Sequence, residues 1–296
     1  MNTNEYLQKA LAAQTLGDDS EELKALQAHR ADVEALLREE LNDCSPTIRY
    51  AGSKAKGTMI RESYDLDIIC YFQHGDTKAG ATLEEVYNNT KSALSKSYFV
   101  DPKQSALRLR GLAGEHLDFH VDVVPGRFTD DTMGDAYIYK AGADKCRLKT
   151  NINVHVEHVK ASGVRDAIRL MKLWNVRNNI GLKNFVLELA VIKLLKNKKS
   201  ASLSTQLEHV WTEFRDNIDN LTVEDPANPE GNDLSGALSS AKAALKTAAS
   251  FTLSVIEASG WQTVFGVVED DSEAENLARL RRVAAGVPVP SRPWCE

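Results

Sequence analysis

Residues 52–72 read GSKAKGTMIRESYDLDIICYF, and the end of this stretch decides the fold. Ile68 to Phe72 is β-branched, aromatic and apolar, with no Pro or Gly, which predicts a strand. Side chains alternate along a strand, so Asp65 and Asp67 share one side while Leu66, Ile68, Cys70 and Phe72 form an apolar core face on the other. Two carboxylates one pleat repeat apart repel unless a charge neutralises them. A hard divalent cation does so, and Mg²⁺ suits a few carboxylates together with phosphate oxygens. An isolated D-x-D also occurs as a solvated pair of turn formers at a strand end.

A third carboxylate lies in residues 116–125, HLDFHVDVVP. As a strand, this places Asp118, His120 and Asp122 on one face and Leu117, Phe119, Val121 and Val123 on the other. Beside the first strand, Asp122 reaches the same cations. Two cations roughly 4 Å apart can clamp the attacking and leaving oxygens of a phosphoryl transfer. The GSKAKGT run is no Walker A loop, because Thr58 rather than Lys follows Gly57. His116 and His120 lack the Cys or helical His partner that a zinc site needs.

G-S…K-G-T…D-L-D-I followed by V-D-V-V-P resembles the DNA polymerase β-like nucleotidyltransferases. Within them the chain looks like the oligoadenylate synthases and the bacterial CD-NTases (cGAS/DncV-like nucleotidyltransferases). The resemblance implies that Asp65, Asp67 and Asp122 are catalytic and hold two Mg²⁺ or Mn²⁺ ions. It also implies that Gly52 and Ser53 bind the donor triphosphate.

Later segments extend the likeness. Residues 162–178, SGVRDAIRLMKLWNVRN, predict a helix with Val164, Ile168, Met171 and Trp174 on one face and a basic stripe of Arg165, Arg169 and Lys172 on another. R-L-M-K-L-W is similar to the R-L-V-K-H-W pattern of the oligoadenylate synthases, which implies that Lys172 contacts the triphosphate. Residues 182–199 resemble the family helix whose aromatic stacks on the base, placing Asn184 and Phe185 in the nucleotide site, with Glu188 also matched. A Phe on an apolar helix face is the alternative for Phe185. Residues 225–229, DPANP, resemble the D-P-A-D-P loop bordering the nucleotide, so Asp225 is a further candidate; Asn228 replaces the second Asp. Arg127 follows the third carboxylate and is either a phosphate contact or an exposed side chain.

The 296 residues are 43% hydrophobic, enough for a sizeable core. No apolar run reaches the length of a membrane span, and the N-terminus lacks a signal-peptide pattern. The four scattered cysteines suit a reducing cytoplasm. A net charge of −6 disfavours binding of long nucleic acid and favours small nucleotides. The expected fold is α+β: N-terminal bridging helices (1–41), a nucleotidyltransferase lobe with a mixed sheet (42–150) and a helical lobe (151–296). A continuous helix is expected over residues 233–259, and residues 126–150 read as irregular except for a strand at 136–140.

The resemblance implies a cytoplasmic enzyme making a short, cyclic oligonucleotide messenger from ATP and other nucleoside triphosphates in antiphage signalling, with scope for a protein activator. An RNA-tailing enzyme of the CCA-adding kind and a non-catalytic nucleotide sensor are the competing readings.

Overall fold

The computed structural model describes residues 2–111, 120–142 and 146–268. The chain opens with two helices, α1 (Thr3–Ala13) and α2 (Glu21–Glu40). Asn2 and Glu5 form a capping box on α1, and Ser20 accepts from Leu23 N–H to cap α2. Then come β1 (Thr47–Tyr50), α3 (Gly52–Lys56), β2 (Leu66–Phe72), α4 (Leu83–Leu94), β3 (Phe99–Pro102), β4 (Leu107–Arg110), β5 (Val121–Phe128), β6 (Ala136–Tyr139) and β7 (Arg147–Thr150). The remainder is helical: α5 (Ile152–Lys160), α6 (Arg165–Arg177), α7 (Asn184–Leu194), α8 (Leu203–Asp216), α9 (Ser235–Ser239), α10 (Lys242–Ser259) and α11 (Gln262–Phe265).

The strands form one seven-stranded mixed sheet, ordered β1-β2-β5-β4-β3, with β6 also paired to β5 and β7 to β6. Only β2 and β5 run parallel among these pairs. One face of the sheet buries Leu66, Ile68, Cys70 and Phe72 beneath α2 and α4, with Leu26, Val33, Leu37, Val86 and Leu94. The other face carries Ile69, Tyr71 and Phe128. A third cluster lies among the helices around Trp174, Trp211 and Phe214, and α1 belongs to it through Tyr6, Leu7 and Leu11. Thus α1 packs with the helices and α2 with the sheet, and the turn through Gly17 lies between them.

Several expectations change. The strand bearing Asp122 is described only from Val121, because His116, Leu117, Asp118 and Phe119 lie outside the described residues, as do Cys295 and the chain beyond residue 268. Residues 126–150 are not irregular: β5 continues to Phe128, and β6 and β7 follow. The edge strands β3 and β7 are four residues each, too short to show a period of two. The helix expected over 233–259 is interrupted at Ser240 and Ala241, separating α9 from α10.

Candidate active site

β2 and β5 pair in parallel register with Asp67 directly across from Asp122. Asp65 precedes β2 and lies 3.3 Å from Nδ1 of His120, which precedes β5. The three carboxylates therefore collect at one end of the parallel pair. Burial, then the charges of Asp65 and Asp122, drive the Asp67 carboxyl up to about 7, against the pull of Lys56 and Lys172. Asp122 is gripped by Arg108 of β4, which donates from Nε to Oδ1 and from Nη2 to Oδ2, each at 2.8 Å.

Gly52 is fixed by its contact with this cluster. Its φ is +52°, and a Cβ there would lie 1.7 Å from Asp67 Oδ2. Only glycine tolerates both the left-handed backbone and the proximity. Ser53 follows in the first turn of α3, which ends at Gly57 in the left-handed region.

Lys172 is not on an open basic stripe. It is 2% exposed, and its Nζ lies 2.5 Å from Glu188 Oε1 and donates to Thr58 Oγ1 at 2.9 Å. Glu188 also accepts from Lys56 Nζ at 2.7 Å and from Thr58 Oγ1 at 2.7 Å. Burial opposes ionisation of Glu188, but Lys172 and Lys56 pull its carboxyl down to about 2. This buried knot ties the loop after α3 to α6 and α7. The former stripe partner Arg169 is likewise structural, donating to Met59 O and Thr15 Oγ1. Arg127 donates to the Gly80 and Ala81 carbonyls ahead of α4.

A cleft opens beside Gly52, lined by Gly52, Lys56, Ile152, His155, Val156 and Phe185. Phe185 meets Lys56 Nζ at 4.7 Å from its ring centroid and the His155 ring at 4.9 Å. Asn184, at the start of α7, is exposed. Asp225 is 1% exposed. It accepts from His155 Nε2 at 2.7 Å, Asn232 Nδ2 at 2.8 Å and Ala227 N–H at 2.9 Å. Burial would raise the Asp225 carboxyl, yet these donors hold it below its usual range. Asp225 thus lies behind the cleft wall, bonded to the His155 ring that lines it.

Neighbours of the cleft and the carboxylates that the sequence did not single out are Lys56, His155 and Arg108. Lys56 stood in the quoted K-G-T run. His155 and Arg108 had no local signal, since only tertiary pairing brings them to the site.

The carboxylates fit a divalent cation by their chemistry, because burial and then the charges of Asp65 and Asp122 raise Asp67, and a cation would offset that repulsion. Among the described residues no three His, Cys, Asp or Glu side chains are gathered closely enough to hold a metal. Both Asp122 oxygens are engaged by Arg108.

Solved structures sharing this architecture include CdnC of Escherichia coli MS115-1 in a CdnC:HORMA-deltaN complex, with a TM-score of 0.65 and 21% identity over 90% of this chain and 97% of that one. The fold is that of the CD-NTases. The Elizabethkingia meningoseptica CdnE cyclic dinucleotide synthase gives a TM-score of 0.64 at 16% identity over 85% of this chain and 99% of that one. The Vibrio cholerae DncV cyclic AMP-GMP synthase gives 0.59 at 14% identity, covering 92% and 88%. Among curated proteins, a cyclic AMP-AMP-AMP synthase of Escherichia coli (strain MS 115-1) is 28% identical over 166 residues. That match spans 50% of this chain and 49%, about half, of the relative. No family model matches the chain. These likenesses bear out the resemblance to cGAS/DncV-like nucleotidyltransferases and the α+β fold read from the sequence. No helix among the described residues is long and apolar enough to cross a membrane.

Proposed function

We propose that the chain is a template-independent, metal-dependent nucleotidyltransferase that joins ATP, and other nucleoside triphosphates, into a short cyclic oligonucleotide. The observation that carries this reading is the parallel register placing Asp67 opposite Asp122, with Asp65 beside them and Gly52 pressed against Asp67. Cyclic products are named for the CD-NTase-fold relatives. Antiphage signalling follows from the family resemblance, and a protein activator is part of the proposal because CdnC is found in a complex with HORMA-deltaN.

Asp65, Asp67 and Asp122 would hold Mg²⁺ or Mn²⁺, which when bound neutralises the triphosphate and makes the acceptor hydroxyl easier to deprotonate. Gly52 and Ser53 admit the triphosphate at the head of α3. Lys56 presents its ammonium at the cleft, aimed by Glu188, which Lys172 holds ionised. Lys172 therefore acts through Glu188 and through its charge on Asp67. Phe185 and His155 form the wall for a base, Asp225 fixes the His155 ring, and Asn184 borders the opening. The 2′- or 3′-hydroxyl of one nucleotide attacks the α-phosphorus of another; the new P–O bond forms as the bond to pyrophosphate breaks. Orienting the two nucleotides and stabilising the leaving charge supply the rate enhancement.

The test is the purified protein with all four ribonucleoside triphosphates and Mg²⁺ or Mn²⁺, with and without RNA, and with candidate activator proteins added. A phosphatase-resistant product whose mass is a whole number of nucleoside monophosphates less one water each is expected. A phosphatase-sensitive ladder would make it a linear synthase. Nucleotide addition only to supplied RNA would establish the tailing reading instead.

A further inference from the structure

We propose that Arg108 is a positioning residue that competes with a divalent cation for Asp122. This rests on the reading of Asp65, Asp67 and Asp122 as the cation-holding set. β4 runs antiparallel to β5 with Arg108 directly opposite Asp122, so the pairing is built into the sheet register. The guanidinium fork engages both carboxylate oxygens, from Nε and Nη2, at 2.8 Å each. A fork of this kind fixes the plane of the carboxylate as well as its position.

Asp122 has two ways to serve a cation. It can turn and give up one of the two N–H···O bonds, or it can share lone pairs while a positive guanidinium stands against it. Both weaken cation binding relative to a carboxylate without the fork. The two side chains are 24% and 16% exposed, so solvent screens the pair and the competition is moderate. Among the described residues no such fork meets Asp67; its carboxyl lies against Gly52 and is repelled by Asp65 and Asp122. The site is therefore asymmetric: Asp67 faces a cation with no fork against it, Asp65 has the His120 ring at 3.3 Å, and Asp122 joins at the expense of the Arg108 fork.

The experiment titrates Mn²⁺ into nucleotide-free protein and follows free Mn²⁺ by electron paramagnetic resonance. Arg108→Gln is expected to tighten Mn²⁺ binding about fivefold, and Arg108→Lys, which keeps the charge but loses the fork, to tighten it about twofold. In an Asp122→Asn background both gains should vanish. A gain for Arg108→Gln with none for Arg108→Lys would reduce Arg108 to a distant charge and overturn the proposal, as would gains that persist without Asp122. Far-UV circular dichroism checks folding; if Arg108→Gln fails to fold, the lysine variant alone decides. Cation binding that no Arg108 variant alters sinks this inference alone, whereas no binding by the wild type sinks the site reading and the inference with it.

Discussion

The Nζ of Lys172 lies 2.5 Å from Oε1 of Glu188, and the two side chains are 2% and 1% exposed. An ammonium this deeply placed is a structural charge first. Lys172→Ala is therefore expected to cost about 3–5 kcal/mol, the range for breaking one side of a buried pair. Urea unfolding measures it. Lys56 is the more exposed of the two lysines on Glu188, 9% against 2%, so Lys56→Ala should be the milder change in stability yet raise the KM for ATP about tenfold or more. A Lys172→Ala protein of wild-type stability with defective nucleotide use would return Lys172 to the triphosphate.

Glu188 also sets a pH dependence. Its folded pKa of about 2 lies below the ordinary 4.5, so the folded state holds fewer protons than the unfolded state between these values. Its contribution is complete above pH 4.5 and disappears as pH falls toward 2, on the order of 3 kcal/mol in all. Unfolding free energies at pH 6 and pH 3 should converge in Glu188→Gln relative to the wild type. Parallel slopes in the two proteins would contradict the buried knot.

Asp65→Asn, Asp67→Asn and Asp122→Asn should each abolish pyrophosphate release while the protein remains folded. Asp67→Asn should also melt higher than the wild type in chelator at neutral pH, because it removes the carboxylate that burial and two neighbours repel. Calorimetry in EDTA reads this directly. An unchanged or lower melting temperature would mean that the repulsion is relieved by some other group.

Gly52→Ala places a methyl where Asp67 Oδ2 now sits, at a left-handed φ. Asp67 must move or α3 must unwind. The expected result is a loss of at least about 1 kcal/mol from backbone strain and loss of turnover together. An active Gly52→Ala enzyme would show that Asp67 has room to withdraw.

The alternating apolar face of Leu66, Ile68, Cys70 and Phe72 was legible because a two-residue period survives in a single strand. The N-terminal helices and α6 were legible for the same kind of reason, at a period of 3.6. The face shared by Arg165, Arg169 and Lys172 was legible, but helical periodicity could not show that it turns inward against residues 57–59, nor that Lys172 has a partner 16 residues later on another helix. The fate of Arg127 depended on the Gly80 and Ala81 carbonyls, and that of Arg108 on strand register. Neither relation is written locally. Asp225 drew notice through its Pro-rich loop, but its bond to His155 is made by tertiary packing that no local pattern encodes.

The parallel pairing of β2 with β5 has a consequence for how the molecule comes into being. Parallel neighbours cannot be joined by a tight turn, and here α4, β3 and β4 lie between them in the chain. Asp67 and Asp122 therefore meet only after a long loop has been closed, among the slower events available to a chain of this kind. During synthesis, a polypeptide that has emerged through β4 carries Gly52, Ser53, Asp65 and Asp67 but lacks the strand that completes the set. The three carboxylates are thus brought together late, only once β5 has docked against β2.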